Sequence, residues 1–252
     1  MSASNADFAS IPEVSPTEAT AKLVEMKKSL REDAGNMIAK TIPRRIFELN
    51  EVLGSPDFKL TYDQYASPVN VPSPPGTNEE KEAGDSQFLA TGRVNGTTLL
   101  MLPDGVIQMN KTLERLHEVV KPLIVQQVDD CNLLKMWIQL LIPKVEDGNN
   151  FGVGIQEECL EQVTAVQKDS ASYLDQVTRY YILRAKSVSK VAKYPHVEDF
   201  RRTVVELDQK QYHTVTMFVR QLRNDYSLLH DILTKNMEKI QRPRNSNAES
   251  LY

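Results

Sequence analysis

Apolar residues recur at every third or fourth position through three long stretches, and this periodicity constrains the fold more than any other feature. The first stretch follows a turn near residues 104–110 and runs to about residue 142. The other two span residues 155–193 and 197–240. A spacing of three and four places apolar side chains on one face of an α-helix. At 1.5 Å per residue, each helix would be about 50 Å long or longer, which exceeds the usual globular range. The pattern predicts an elongated bundle of amphipathic helices.

A further helix is predicted near the N-terminus. The run Ser15-Pro16-Thr17-Glu18 has the order of a capping box, with proline at the first helical position. Apolar residues then recur at roughly helical spacing from Leu23 to Leu53. Pro43 should kink or split this helix, because its ring removes a backbone hydrogen bond. Because no strand pattern competes, the sequence predicts an all-α fold, an elongated four-helix bundle.

Helix one is separated from the other helices by a segment of different composition. It is rich in proline and then carries an acidic run at residues 79–85. Such a composition is typical of a flexible linker. The predicted parts of this single domain are a disordered N-terminal extension at 1–14, helix one at 15–54, the linker at 55–103, helices two to four at 104–241, and a C-terminal tail at 242–252.

The residue types that carry catalysis or bind metals are scattered. No two of the four histidines are three or four residues apart, and the two cysteines lack metal-ligand spacing. Cys131 and Cys159 fall in helical patterns, which favours buried reduced thiols. No phosphate-binding loop, dinucleotide fingerprint, nucleophile elbow or zinc-protease motif occurs. The sequence therefore predicts no enzyme, no metal site and no cofactor.

Charge and hydropathy argue against two further classes of partner. The formal net charge is −4, so no overall basic field favours nucleic acid. No apolar run approaches the 18 or so residues of a membrane span, and the N-terminus lacks the features of a secretory signal. Lys186, Lys190 and Lys193 share one helix face, with Arg184 nearby. A row of basic residues on one helix face is usually exposed to solvent. In a ring-shaped oligomer, the same basic face would line the central channel.

Two segments outside the helices remain open to interpretation. The run PKVEDGNNFGV at 143–153 is more elaborate than the few turn residues that join helices in most bundles. It is either a plain turn or a working loop. The tail ends in Ser250-Leu251-Tyr252, and a terminal carboxylate beside apolar residues suits peptide recognition. A frayed tail is the alternative, since chain ends are disordered by default.

Several motifs resemble the REG (eleven-S) proteasome activators, in the same order and at matching spacing. The resemblance is close from about residue 100 to 252, whereas helix one agrees in pattern only. The ending is most similar to the gamma-type members. The motifs are Met136–Pro143, Glu146–Val153, Ala171–Gln176, Lys193–Asp199 and Arg242–Tyr252.

The resemblance implies a heptameric ring of four-helix subunits around a channel. Such rings dock on the end of the proteasome core particle without ATP. The tail residues Ser250, Leu251 and Tyr252 would insert between outer-ring subunits of the core, and Lys186 would face the channel. Gly148 and Gly152 would let the activation loop turn. That loop corresponds to Glu146, Asp147, Gly148, Asn149, Asn150, Phe151, Gly152 and Val153.

The function that this resemblance implies is ATP-independent opening of the core particle's gate by the loop, with the tails supplying affinity. The partners would be the outer-ring subunits of the core and further copies of the chain, with neither nucleic acid nor membrane. An oligomeric helical scaffold that presents surfaces to partners is the alternative. The gamma-type linker carries a basic nuclear-import cluster, whereas residues 73–87 are acidic with a single lysine, Lys81. The expected compartment is the nucleus, the cytoplasm or both.

Overall fold

A computed structural model gives the structure of the protein. The structure describes residues 16–67, 69, 71, 91–94, 97–100, 107–146 and 148–244. Several sequence predictions fall elsewhere: the N-terminal extension at 1–14, most of the linker, Asp147, and the tail residues Ser250, Leu251 and Tyr252 lie outside the described residues.

The described chain is a helical bundle with one short hairpin. The helices are α1 (Pro16–Asn36), α2 (Ile42–Gly54), α3 (Tyr62–Tyr65), α4 (Lys111–Leu141), α5 (Phe151–Lys193), α6 (Glu198–Lys235) and α7 (Met237–Gln241). A π-helical turn at Met37–Thr41 joins α1 to α2, and a 3₁₀ turn at Pro56–Lys59 follows α2. The strands are β1 (Thr91–Val94) and β2 (Thr97–Leu100).

The hairpin is a departure from the predicted linker. Thr91 lies opposite Leu100 and Val94 opposite Thr97 in an antiparallel pair. In the sequence, Asn95-Gly96 separates the two strands, and this dipeptide is the one most typical of two-residue hairpins. The all-α prediction is confirmed for the bundle, and this hairpin is a local exception to it within the predicted linker.

The predicted helix one is α1 and α2 with an irregular turn between them. The π-helical turn at Met37–Thr41 comes directly before α2, whose second residue is Pro43. Proline cannot donate to the preceding turn, and its ring crowds the carbonyl four residues earlier, so a wider turn relieves the conflict. The expected interruption at Pro43 therefore takes the form of a local widening.

The core lies between α2, α4, α5 and α6. Helix α4 packs on α5, α5 on α6, and α2 on α6. Apolar side chains at three- and four-residue spacing fill the space between them, as the periodicity predicts. Fully buried members include Ile42, Leu116, Ile124, Val163, Leu222 and Leu229.

Both cysteines belong to this core. Cys131 and Cys159 are buried and free of disulfides, which confirms the prediction of reduced thiols. Burial raises the pKa of the Cys131 thiol to about 12. Because the thiolate is the reactive form, this side chain is chemically inert at neutral pH.

A buried ionic cluster connects α4, α5 and α6. The Asp208 carboxylate accepts hydrogen bonds from Arg184 Nε at 2.9 Å, Tyr180 Oη at 2.9 Å and Asn110 Nδ2 at 2.9 Å. Grouping Arg184 with the exposed lysines of α5 was therefore wrong, because its guanidinium points into the bundle. Burial of this charge is tolerated because the carboxylate and its donors satisfy one another.

Membrane spans and metal clusters are both absent from the part of the chain that the structure describes. No helix there combines the length and the apolar character needed to cross a membrane. Within the same residues, no group of three or more His, Cys, Asp or Glu side chains is arranged to hold a metal ion.

Candidate functional site

The connection between α4 and α5 contains only the first part of the predicted activation loop. Helix α4 ends at Leu141 and α5 begins at Phe151, so Phe151, Gly152 and Val153 form the first helical turn of α5. The Phe151 side chain is nonetheless 77% exposed, and Val145 in the connection is 99% exposed. Two large apolar side chains therefore face solvent at this end of the bundle.

The tip of the connection has an unusual backbone. Gly148 has φ 80° and Asn149 has φ 42°, so two successive residues lie in the left-handed region. Glycine adopts this region freely and asparagine is the side-chain residue that tolerates it best. The expected role of Gly148 in turning the chain matches this geometry. Gly152 has a different role, because it lies in a helix and not in a turn.

Short-range contacts hold the connection in one shape. Asn150 Nδ2 donates to the carbonyl oxygen of Glu146 at 3.2 Å, and the N–H of Gly154 donates to the Asn150 carbonyl at 2.9 Å. Lys144 Nζ lies 3.1 Å from Glu146 Oε1. The hydrogen bond and charge of Lys144, followed by the charge of Arg244, lower the pKa of Glu146. Glu146 is therefore anionic at neutral pH.

The root of the C-terminal tail packs against this connection. Arg244 Nη1 donates to Glu146 Oε2 at 2.8 Å, and Arg244 Nη2 donates to the Lys144 carbonyl at 3.1 Å and to Asn150 Oδ1 at 3.3 Å. A β-carbon on Gly152 would lie 2.0 Å from the carbonyl oxygen of Pro243. The α4–α5 connection and the root of the tail are thus in direct contact at one end of the bundle.

A buried glutamine ties three helix ends together beneath the connection. Gln156 Nε2 donates to the carbonyl oxygens of Leu141, at the end of α4, and Ile240, in α7, at 3.1 and 2.7 Å. These carbonyls have no partner of their own further along a helix. Sequence reasoning missed both Gln156 and Arg244, because their partners lie far away along the chain.

Lys186 lies on α5, far from this end of the bundle. Its side chain is exposed, and the 35 residues from Phe151 correspond to about 50 Å of helix. The neighbouring lysines rest on aromatic rings: Lys190 Nζ is 5.4 Å from the Phe200 ring centre, and Lys193 Nζ is 5.1 Å from that of Tyr194. Lys186 therefore belongs to an exposed basic face that aromatic rings partly organise.

Two family models match this chain. The model described as proteasome activator PA28, C-terminal, matches residues 106–250. The model described as proteasome activator PA28, N-terminal, matches residues 17–75. The connection between α4 and α5 and nearly all of the tail therefore lie within one matched region.

Related proteins match over nearly the whole chain. Proteasome activator complex subunit 3 of Gallus gallus is 42% identical over 258 residues, covering 97% of this chain and 100% of that protein. The Homo sapiens protein of the same description is 42% identical over 245 residues, covering 93% of this chain and 96% of its own.

Solved structures share the helical fold. The 11S subunit of the Plasmodium falciparum proteasome, PA28, superposes with a TM-score of 0.71 at 29% identity, covering 92% of this chain and 97% of that chain. A chain in the structure of an archaeal 20S proteasome in complex with mutated P26 activator gives a TM-score of 0.60 at 11% identity, covering 92% and 99%. At that identity, the likeness shows the fold alone. The two family models and the 42% identity show that this chain belongs to the PA28 proteasome activator family.

Proposed function

We propose that this chain forms a heptameric ring that activates the proteasome core particle without ATP. The observation that carries the proposal is the meeting of the α4–α5 connection with the root of the tail. Arg244 lies 2.8 Å from Glu146, although the two are 98 residues apart in sequence. One end of the subunit therefore presents both a shaped loop and the root of the tail, as gate opening and docking on the same particle require.

The tail supplies affinity in this proposal. Eight residues follow Arg244, and they reach at most about 28 Å when fully extended. Ser250, Leu251, Tyr252 and the terminal carboxylate would enter pockets between the core's outer-ring subunits, as the family resemblance implies. Seven weak tails on one ring reinforce one another through effective concentration, so none needs to bind tightly alone.

The connection acts on the gate. In the proposal, the residues from Glu146 to Asn150, including Asp147, together with Phe151, Gly152 and Val153 at the start of α5, meet the core's gate segments. Two long helices support the connection at its ends, and its tip has a constrained backbone at Gly148 and Asn149. A rigid element of this kind can bias an order–disorder equilibrium in a partner, because it does not yield when the partner pushes back.

Lys186 would face the channel and influence which peptides pass, since a row of like charge attracts or repels them at short range. The ring would contain copies of this chain and no cofactor. It would act in the nucleus, the cytoplasm or both.

The direct test is stimulation of the purified 20S core particle. Full-length protein should raise the hydrolysis of short fluorogenic peptides in the absence of nucleotide. Deleting Leu251 and Tyr252 should abolish this stimulation while leaving the particle mass unchanged at about seven subunits. Stimulation that survives the deletion would refute the docking assignment.

The scaffold alternative predicts a different pattern. A scaffold should capture its partners from solution whether or not the last two residues are present, and it should leave peptide hydrolysis by the core unchanged. A particle mass equal to one subunit would contradict the ring.

A further inference from the structure

We propose that Arg244 is a positioning residue that holds the α4–α5 connection in its active shape and couples this shape to docking of the tail. The inference rests on the proposed function, since it assigns a role within gate opening. Arg244 would touch neither the gate nor the docking pockets. It would act through the connection on one side and through the tail that follows it on the other.

The guanidinium of Arg244 reaches three separate points of the connection. Its hydrogen bonds end on the Glu146 carboxylate, the Lys144 carbonyl and the Asn150 side chain, at 2.8, 3.1 and 3.3 Å. These acceptors lie on both sides of the left-handed tip. A change that moves the two sides of the tip apart therefore breaks at least one of these bonds.

Arginine is suited to this position in a way that lysine is not. Its planar group presents five donors in a fixed arrangement, whereas lysine offers one compact charge on a flexible stem. The Arg244 side chain is only 23% exposed, and its partner Glu146 is 47% exposed. The half-buried contact between Arg244 and Glu146 therefore restrains the connection more than a fully exposed surface ion pair would.

The backbone around Arg244 is fixed independently of these bonds. The Pro243 carbonyl occupies the space that a side chain at Gly152 would fill. One turn further along α5, Gln156 donates to the carbonyl of Ile240 at 2.7 Å. The first turns of α5 therefore fix the chain on the N-terminal side of Arg244, and the guanidinium is held within reach of the connection.

This arrangement gives a route from docking to the gate. Residues 245–252 follow Arg244 directly, so a docked tail limits the movement that remains to Arg244 on its C-terminal side. A restricted Arg244 restricts the connection in turn, because its three acceptors are spread along it. Docking without Arg244 would leave the ring bound and the connection free to adopt other shapes.

The test compares three full-length variants. Arg244→Ala removes the guanidinium, and Arg244→Lys keeps the charge but not the planar donors. Arg242→Ala is the matched control, because it removes the same charge two residues away from an exposed side chain. Each ring is titrated against the 20S core particle, giving the maximal stimulation and the concentration at half-maximum.

Arg244→Ala should lower the maximal stimulation roughly fivefold, as expected when a net hydrogen-bond contribution is lost, while the half-maximal concentration stays within about twofold. Arg244→Lys should recover only part of the maximum, and Arg242→Ala should match the parent protein. If Arg244→Ala retains the full maximum, or raises only the half-maximal concentration, the coupling is refuted. Failure of the proposed function looks different, because the unaltered ring would then give no stimulation.

Amide hydrogen exchange provides a readout that does not depend on the core particle. In the free Arg244→Ala ring, amides of residues 144–150 should exchange faster than in the parent and in Arg242→Ala, whereas amides in the middle of α5 should be unchanged. Equal exchange at 144–150 in all three proteins would overturn the proposal.

Discussion

The carbonyl oxygen of Pro243 occupies the place where Gly152 would carry a β-carbon, at a separation of 2.0 Å. Gly152 lies in the first turn of α5, so its requirement for glycine comes from space and not from backbone conformation. A β-carbon on Gly154, two residues further along the same helix, would meet nothing within 4 Å. The two glycines therefore make a matched pair for substitution.

Gly152→Ala should destabilise the contact between α5 and the root of the tail, because a backbone carbonyl cannot move aside as a flexible side chain can. The cost should be about 1–3 kcal/mol, as for other overpacked positions. Gly154→Ala should be neutral or stabilise the fold by up to about 1 kcal/mol, the usual gain of alanine over glycine in a helix. Urea unfolding measures both, and equal stabilisation by the two substitutions would contradict the close approach of Pro243.

Asp208→Ala should be among the most damaging single substitutions in the bundle. It would leave the buried Arg184 guanidinium without its carboxylate and would remove acceptors from Tyr180 and Asn110. Breaking a buried ion pair in this way costs about 3–5 kcal/mol. The midpoint of urea unfolding should fall accordingly.

The control for this prediction is Asp231→Ala. Asp231 pairs with Lys235 at 2.6 Å, but both side chains are more than half exposed. Exposed pairs on one helix contribute less than about 1 kcal/mol. A loss of stability in Asp231→Ala as large as that in Asp208→Ala would show that the change in net charge, and not the burial of the ion pair, determines the loss.

His117 should make stability depend on pH below neutrality. Its ring nitrogens lie 2.8 Å from Tyr181 Oη and 2.9 Å from Gln211 Nε2. The amide of Gln211 is a donor, so the facing imidazole nitrogen accepts and the ring is neutral. Burial, followed by the charge of Lys121, lowers the pKa of His117 from 6.5 to about 4.

The sign of the effect follows from the order of the two pKa values. As pH falls, the unfolded chain binds the proton first, so the contribution of His117 is complete above pH 6.5 and is lost between pH 6.5 and about 4. The loss amounts to about 3 kcal/mol. Urea unfolding across this range should show a shallower pH slope in His117→Gln than in the parent, and equal slopes in the two proteins would contradict the assignment to His117.

The bundle itself could be predicted because its signal is local. The apolar positions of α4, α5 and α6 repeat every three or four residues, and the same residues form the core. A polar residue that interrupts one of these apolar stripes is hydrogen-bonded inside the bundle. Ser170 Oγ donates to Gln127 Oε1 at 2.7 Å between α5 and α4. This polar residue in an apolar stripe thus forms a hydrogen bond between two helices of the core.

The connection between α4 and α5 was only partly predictable. Gly148 and Asn149 indicate a turn by their residue types. The start of α5 at Phe151 does not follow from periodicity, because the first turn carries two glycines at 152 and 154. The role of Arg244 depends on a contact between residues 98 positions apart. Only the packing of the whole bundle brings such residues together.

Asn149 offers the sharpest test of whether the shape of the connection matters. Its φ of 42° is tolerated by asparagine and free for glycine, whereas a β-branched side chain there costs about 1–2 kcal/mol. Asn149→Val should therefore shift the connection to other conformations, lowering maximal stimulation of the 20S core particle while leaving its binding in place. Asn149→Gly should keep most of the stimulation, because it permits the same backbone. Binding measured by co-sedimentation separates the two effects: if Asn149→Val loses binding together with stimulation, the connection contributes to docking, and its assignment to the gate alone is refuted.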